Sequence, residues 1–250
     1  MRPTAIVAAA LACLIGAVAG PTGARAETVD LLLVLAADVS RSIDEDEFNL
    51  QRKGYAQAMT DPRFLRAISG GRHHAIAVTF VEWSGAADQN VVIDWTLVRD
   101  EEGAAGVAAT MLSAPRSFLG RTSISAAIDY AMERFPLASV ASDKRVIDVS
   151  GDGTNNSGRN VTEARDQAME QGVTINGLAI INTQANPGYA FHTQPPGGLP
   201  KYYQENVVGG AGSFLVVIEN FESFADAMTR KLITEIAAAS SGKQTAALDN

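Results

Sequence analysis

Cysteine is nearly missing from this 250-residue sequence: one occurs, at position 13. Past that point there is no pair for a disulfide, no thiol nucleophile and no thiolate metal ligand. Stability must therefore come from an ordinary packed core. Histidine is scarce as well. His73, His74 and His192 are the only three, none at metal-binding spacing from another, and each reads as a surface residue. No G-x-S-x-G elbow occurs, and no G-x-x-x-x-G-K phosphate loop. The sequence thus lacks the usual signatures of a serine hydrolase or a nucleotide-binding loop. Basic residues are outnumbered, 20 Lys and Arg against 28 Asp and Glu, giving a formal net charge of −8. That balance speaks against nucleic acid and anionic membrane surfaces as partners and suits divalent cations. Hydrophobic residues make up 46% of the chain, enough for a full core and too many for disorder.

The N-terminal segment carries a different message. Arg2 supplies a positive start, the stretch Ala5 to Gly20 is apolar, and Ala24-Arg25-Ala26 has the small-x-small pattern of a cleavage site. Residues 1–26 read as a secretory signal peptide, with export across the inner membrane to the periplasm or the exterior. The apolar stretch falls short of the ~18 residues of a spanning helix, so no membrane insertion is expected after cleavage. The alternative is an uncleaved anchor; a lipoprotein site at Cys13 is disfavoured by Ala10, where Leu normally stands. Cleavage would remove Arg2, Arg25 and Cys13 but no acid, taking the net charge from −8 to about −10.

From Val29 onward, buried-strand and amphipathic-helix patterns alternate. Val29–Ala37 is an almost unbroken apolar run, as in a central parallel strand covered on both faces. Glu45–Met59 reads as a helix, and Asp61-Pro62 caps a short one through Ile68. Ala75–Trp83 and Val91–Val98 are strands joined by a link too short for a crossover, hence an antiparallel pair at a sheet edge. Helices are expected over Glu101–Leu112, Ile124–Phe135, Val161–Gln171 and Phe221–Ala238, and strands over Arg145–Val149, Val173–Ile181 and Ser213–Ile218. The fold class is α/β: a three-layer, doubly wound, mostly parallel sheet with one antiparallel edge strand. One domain over 27–240 accounts for the pattern, with a frayed tail over 241–250. Asn182–Pro200 holds four prolines and three glycines without any period, and reads as a long loop insertion.

The chemistry gathers at strand ends. Asp38-Val39-Ser40-Arg41-Ser42 follows the first strand, and alternate residues of an extended stretch point the same way. One carboxylate and two hydroxyls converge where open α/β sheets bind ligands. Thr122 precedes a helix and adds a hydroxyl. Asp152 follows a second strand end between Gly151 and Gly153, which favour a sharp turn close to a ligand. Carboxylates and hydroxyls together suit Mg²⁺ or Mn²⁺, leave Ca²⁺ open and do not suit zinc. The bland alternatives are helix capping by Ser42 or Asp44, and a plain turn at Asn155 and Asn156. Asp44, Glu45, Asp46 and Glu47 read as a solvated helix start. Trp83 and Trp95 read as packing residues; Tyr202 and Tyr203 either form a contact surface or pack beneath one.

Asp38, Ser40, Ser42, Thr122 and Asp152, in that order, resemble the metal-ion-dependent adhesion site of von Willebrand factor A domains, over roughly Val29–Ala238. The segments ADVSRSID, DVSGDGTNNSGRN and YYQENVVGG further resemble an uncharacterised bacterial family of secreted proteins with this Rossmann-like domain. The resemblance implies that these five residues surround a divalent metal and that the carboxylate of a partner's Asp or Glu completes its shell. Two departures stand out. Arg41 occupies a position where many relatives have Gly; its charge either weakens the site or helps hold an anionic partner. The long Asn182–Pro200 segment is expected to overhang the site. A secreted, metal-dependent protein-binding module, not an enzyme, is the leading expectation. The alternatives are a metal-assisted hydrolase and a metal-free structural protein of the periplasm.

Overall fold

The computed structural model describes residues 26–181, 188, 190–219 and 223–241. The expected signal segment, all but its last residue, and the tail after residue 241 lie outside the described residues. Among the described residues six strands form one sheet: β1 (Leu32–Asp38), β2 (Ile76–Trp83), β3 (Gln89–Val98), β4 (Arg145–Gly151), β5 (Thr174–Ile180) and β6 (Leu215–Ile218). Their order is β3-β2-β1-β4-β5-β6. All neighbours are parallel except β2 and β3, which pair antiparallel through a register shift near Phe80. Leu32–Asp38 and Ile76–Trp83 are buried at every residue, because a parallel sheet with helices on both faces leaves neither side of a strand to water.

The helices are α1 (Glu45–Thr60), α2 (Pro62–Ser69), α3 (Glu101–Ser113), α4 (Ile124–Arg134), α5 (Val161–Glu170), α6 (Ala190–Thr193), α7 (Leu199–Asn206) and α8 (Phe224–Ser241). Alternate residues of the strands feed two cores. Leu31, Leu33 and Leu35 pack with Tyr55, Met59, Phe64 and Phe224 on the face covered by α1, α2, α3 and α8. Leu32, Val34 and Ala36 pack with Ile128, Ala164 and Tyr203 on the face covered by α4, α5 and α7. Local signals set the helix starts. Asp44 caps α1 in a reciprocal box with Glu47, and Asp61 caps α2 ahead of Pro62. Asp44, not Ser42, is therefore the cap, which leaves Ser42 to other partners.

The expectation of an aperiodic loop over Asn182–Pro200 needs correction. Positions 182–187 and 189 lie outside the described residues, but α6 falls within the segment and α7 begins before it ends. Leu199, Tyr203 and Val207 are all buried, and their spacing of four is the apolar stripe of a helix. The stripe runs past Pro200, so proline and glycine content up to that point concealed it. Gly198 enters the helix with φ at 85°, a conformation open to glycine. Among the described residues no helix is long and apolar enough to cross a membrane.

Candidate metal-binding cleft

The order of the strands reverses direction at β1, whose sequence successor β2 lies on one side and β4 on the other. Such a switch point leaves a crevice beyond the carboxyl ends of both strands. Asp38 is the last residue of β1, and Asp152 follows β4 directly. Both are fully buried, and Ser40, Ser42 and Thr122 are nearly so.

The five residues are joined. Thr122 Oγ1 donates to Ser40 Oγ at 3.2 Å. Ser40 and Ser42 share a hydroxyl–hydroxyl bond of 3.2 Å, and Ser42 Oγ donates to Asp152 Oδ1 at 2.6 Å. Asp38 Oδ1 accepts from the Ser40 backbone N–H at 2.7 Å. Sequence separations of 82 and 110 residues are thereby closed. One oxygen on each acid, Asp38 Oδ2 and Asp152 Oδ2, is buried without a hydrogen-bond partner among the described residues. Unpaired buried carboxylate oxygens are costly, and their environment shows it. Burial, and then the charge of Asp152, pushes the Asp38 carboxyl well above the ordinary range. Burial likewise raises Asp152 to about 7, with the Ser42 hydrogen bond opposing and Glu47 adding to the rise. A divalent cation would supply the missing positive charge, and the donor set fits a hard ion. Among the described residues there is no group of three or more His, Cys, Asp or Glu side chains that could hold a metal, so hydroxyls would have to complete the set.

Two supports escaped the sequence, and a third group, Tyr203, had two roles open. Arg116 Nη2 donates to the carbonyls of Val39, Ser40 and Ile43, each at 2.8 Å, clamping the loop after β1. Its positive charge also eases the ionisation of Asp38. Asn156 is more than a turn residue: its Oδ1 accepts from Thr122 N–H at 3.0 Å, and its own N–H donates to the Thr122 carbonyl at 2.8 Å. Tyr203 lies fully buried beneath the site, its hydroxyl without a partner among the described residues, which settles its role as packing under the cleft. Tyr202 differs, accepting from Asn155 N–H at 3.1 Å.

The glycines flanking Asp152 serve closeness, not a special turn. Neither Gly151 nor Gly153 has positive φ. A Cβ on Gly151 would stand 2.8 Å from both Asp38 Oδ2 and the Tyr203 hydroxyl, and one on Gly153 would stand 2.3 Å from His192 Nδ1. His192 is another correction: far from an isolated surface residue, it is half-buried, and burial followed by the charge of Arg121 lowers its pKa. It lines a cleft of about 180 Å³ together with Arg41, Ser42, Arg121 and Thr122. The described part of the Asn182–Pro200 segment thus does reach the site. Neither Ser40 nor Ser42 is hydrogen-bonded to a histidine among the described residues.

Solved structures with the same fold share little sequence with the chain. Proximal thread matrix protein 1 from the mussel byssus, with a zinc-occupied MIDAS motif, matches at a TM-score of 0.57 and 16% identity, over 86% of this chain and 46% of that one. A von Willebrand factor type A structure from Catenulispora acidiphila matches at 0.56 and 14%, over 84% and 43%. The conserved hypothetical protein BatB from Bacteroides thetaiotaomicron matches at 0.54 and 18%, over 83% and 99%. The chain spans less than half of the first two, and at these identities the likeness shows the fold alone, that of von Willebrand factor A domains. No curated protein matches the chain in sequence. One family does, described as "Protein of unknown function (DUF1194)", over residues 28–240, and the chain belongs to that family.

Proposed function

We propose that the protein is a secreted binding module that takes a divalent cation among Asp38, Ser40, Ser42, Thr122 and Asp152 and uses it to dock a carboxylate of a protein partner. The observation that carries this reading is the pair of fully buried acids, each with an unpartnered oxygen, meeting three hydroxyls beyond two strand ends. The cation supplies a Lewis-acidic point for the partner's Asp or Glu, and the surrounding loops set which partner fits. Likeness to a protein whose MIDAS motif holds zinc supports a divalent ion at this place in the fold. The oxygen donors here favour Mg²⁺ or Mn²⁺ over zinc, with Ca²⁺ sharing the oxygen preference. Secretion rests on the character of residues 1–26.

A metal-assisted hydrolase is the second reading, favoured by His192 in the same cleft. Against it, the Ser40 and Ser42 hydroxyls are engaged with each other, Thr122 and Asp152, and among the described residues neither is hydrogen-bonded to a histidine.

Thermal melts in chelator and in millimolar Mg²⁺ or Mn²⁺, for wild type and Asp38→Ala, test the proposal. A ligand at 100 times its dissociation constant stabilises the folded state by about 2.7 kcal/mol, a rise in midpoint of roughly 5–10 °C for a domain of this size. Wild type should rise and Asp38→Ala should not. A wild type indifferent to both ions would remove the metal and, with it, the docking mechanism.

A further inference from the structure

Arg41 and Arg121 stand on the rim of the cleft whose floor includes Ser42 and Thr122. Both are exposed, in a chain of net charge −8. Arg41 is fixed at its base, where its N–H donates to the Gly120 carbonyl at 3.0 Å, while its guanidinium makes no ion pair among the described residues. Arg121 is held in place by Asn156, to whose carbonyl its Nη2 donates at 2.5 Å. Among the described residues no acid lines this cleft. If a divalent ion sits between Asp38 and Asp152, their two negative charges balance it. The two rim guanidiniums are then the uncompensated charge facing an incoming ligand.

We infer that the cleft is built for a ligand with two carboxylates close together, one for the cation and a second for Arg41 and Arg121, and that its source is an acidic segment of a protein partner. The inference rests on the docking reading above and names the chemistry of the partner. Guanidinium forks favour carboxylates by paired, charge-assisted hydrogen bonds, and a rim charge acts mainly on encounter and selectivity. A volume of about 180 Å³ admits one or two side chains, so the second acid must lie within a residue or two of the first.

Arg41 also has an effect of opposite sign. As a cation beside a metal site it repels the ion, so its removal should tighten metal binding while weakening the ligand. No purely structural role gives that combination.

The test uses two blocked peptides of equal length, one with a single Asp and one with Asp-Gly-Asp, immobilised and presented to wild type, Arg41→Gln and Arg121→Gln in low salt with Mn²⁺ or chelator. Wild type should bind the two-acid peptide about tenfold more tightly than the one-acid peptide, and only with Mn²⁺. Each variant should lose most of that preference. In melts, Arg41→Gln should reach its half-maximal Mn²⁺ response at a lower concentration than wild type, which also shows it to be folded. Equal metal-dependent binding of both peptides, or a preference that survives in both variants, would overturn the inference and leave the docking reading intact. Failure of both peptides to bind a wild type that does respond to Mn²⁺ would overturn the inference and the docking reading together. Displacement by free succinate at equal concentration would make the ligand a small diacid and remove the protein partner.

Discussion

Asn156 grips Thr122 through both of its backbone groups, accepting from the N–H and donating to the carbonyl. Thr122 lies on an irregular stretch just before α4, so it has no ladder of its own to fix it. Outer groups of this kind orient the residues that touch a metal, and losing one typically weakens binding about tenfold or more. Asn156→Ala should therefore move the half-maximal Mg²⁺ response of the melting midpoint upward about tenfold, at a cost near 1 kcal/mol in chelator. An unmoved Mg²⁺ response would show that Thr122 does not serve the ion. The five candidate residues were singled out because Asp38, Ser40 and Ser42 alternate after an apolar strand, a modest signal alone, and Thr122 and Asp152 fall beside a helix start and a second strand end in the order of a known metal site. Arg116, Asn156 and His192 were not, because each acts across 30 or more residues and no local spacing marks it.

Between elements, α1 and α8 pack closely. Gly54 sits within α1, and a Cβ there would stand 2.4 Å from Phe224 Cδ1 and 3.1 Å from the Ala225 backbone nitrogen. Helix propensity alone says that Ala at this position stabilises by roughly 0.5–1 kcal/mol. The neighbouring backbone cannot yield as a flexible side chain would, and overpacking costs typically about 1–3 kcal/mol. Gly54→Ala should accordingly destabilise by about 1–2 kcal/mol in denaturant unfolding; a gain in stability would show that α8 shifts freely. The helix itself was evident from its caps and period, but the closeness of its neighbour was not. Likewise, the buried Arg52–Glu82 ion pair at 2.5 Å ties α1 to β2, though the two residues lie on segments that looked independent.

At the scale of the molecule, the face of the sheet under α8 holds a second buried set of charges, away from the cleft. Lys231 Nζ lies 2.7 Å from Asp148 Oδ1 and 2.6 Å from Glu235 Oε1, with Asn176 donating to Glu235 at 3.1 Å. Two acids share one base, and Tyr55 also feels Asp148. Burial pushes Asp148 up to about 7, against the pull of Lys231 and with the push of Glu235. Because the folded state holds this proton more tightly than the unfolded chain, stability from this group is greatest at low pH and falls as pH rises from about 4 to about 7. Asp148→Asn leaves a balanced Lys231–Glu235 pair. Measured by denaturant unfolding across that range, the variant should gain on wild type as pH rises, levelling off above about 7. A constant difference would mean that Asp148 stays ionised throughout.

The sequence by itself determined the class of the fold and singled out five oxygen donors that the fold then joins. Apolar runs of strand length, helix caps and the short β2–β3 link are local facts, and right-handed parallel crossovers leave few ways to assemble them. It also determined the oxygen-rich character of the site, since residue identity sets donor hardness. Only the tertiary structure decided which groups stand behind those five residues and what rims them. The clamp of Arg116, the pinning by Asn156, the Tyr203 hydroxyl under Gly151 and the two arginines on the rim come from separate segments. They meet because the sheet reverses its order at β1, and side-chain packing across such a seam follows from three-dimensional closeness that no sequence period encodes.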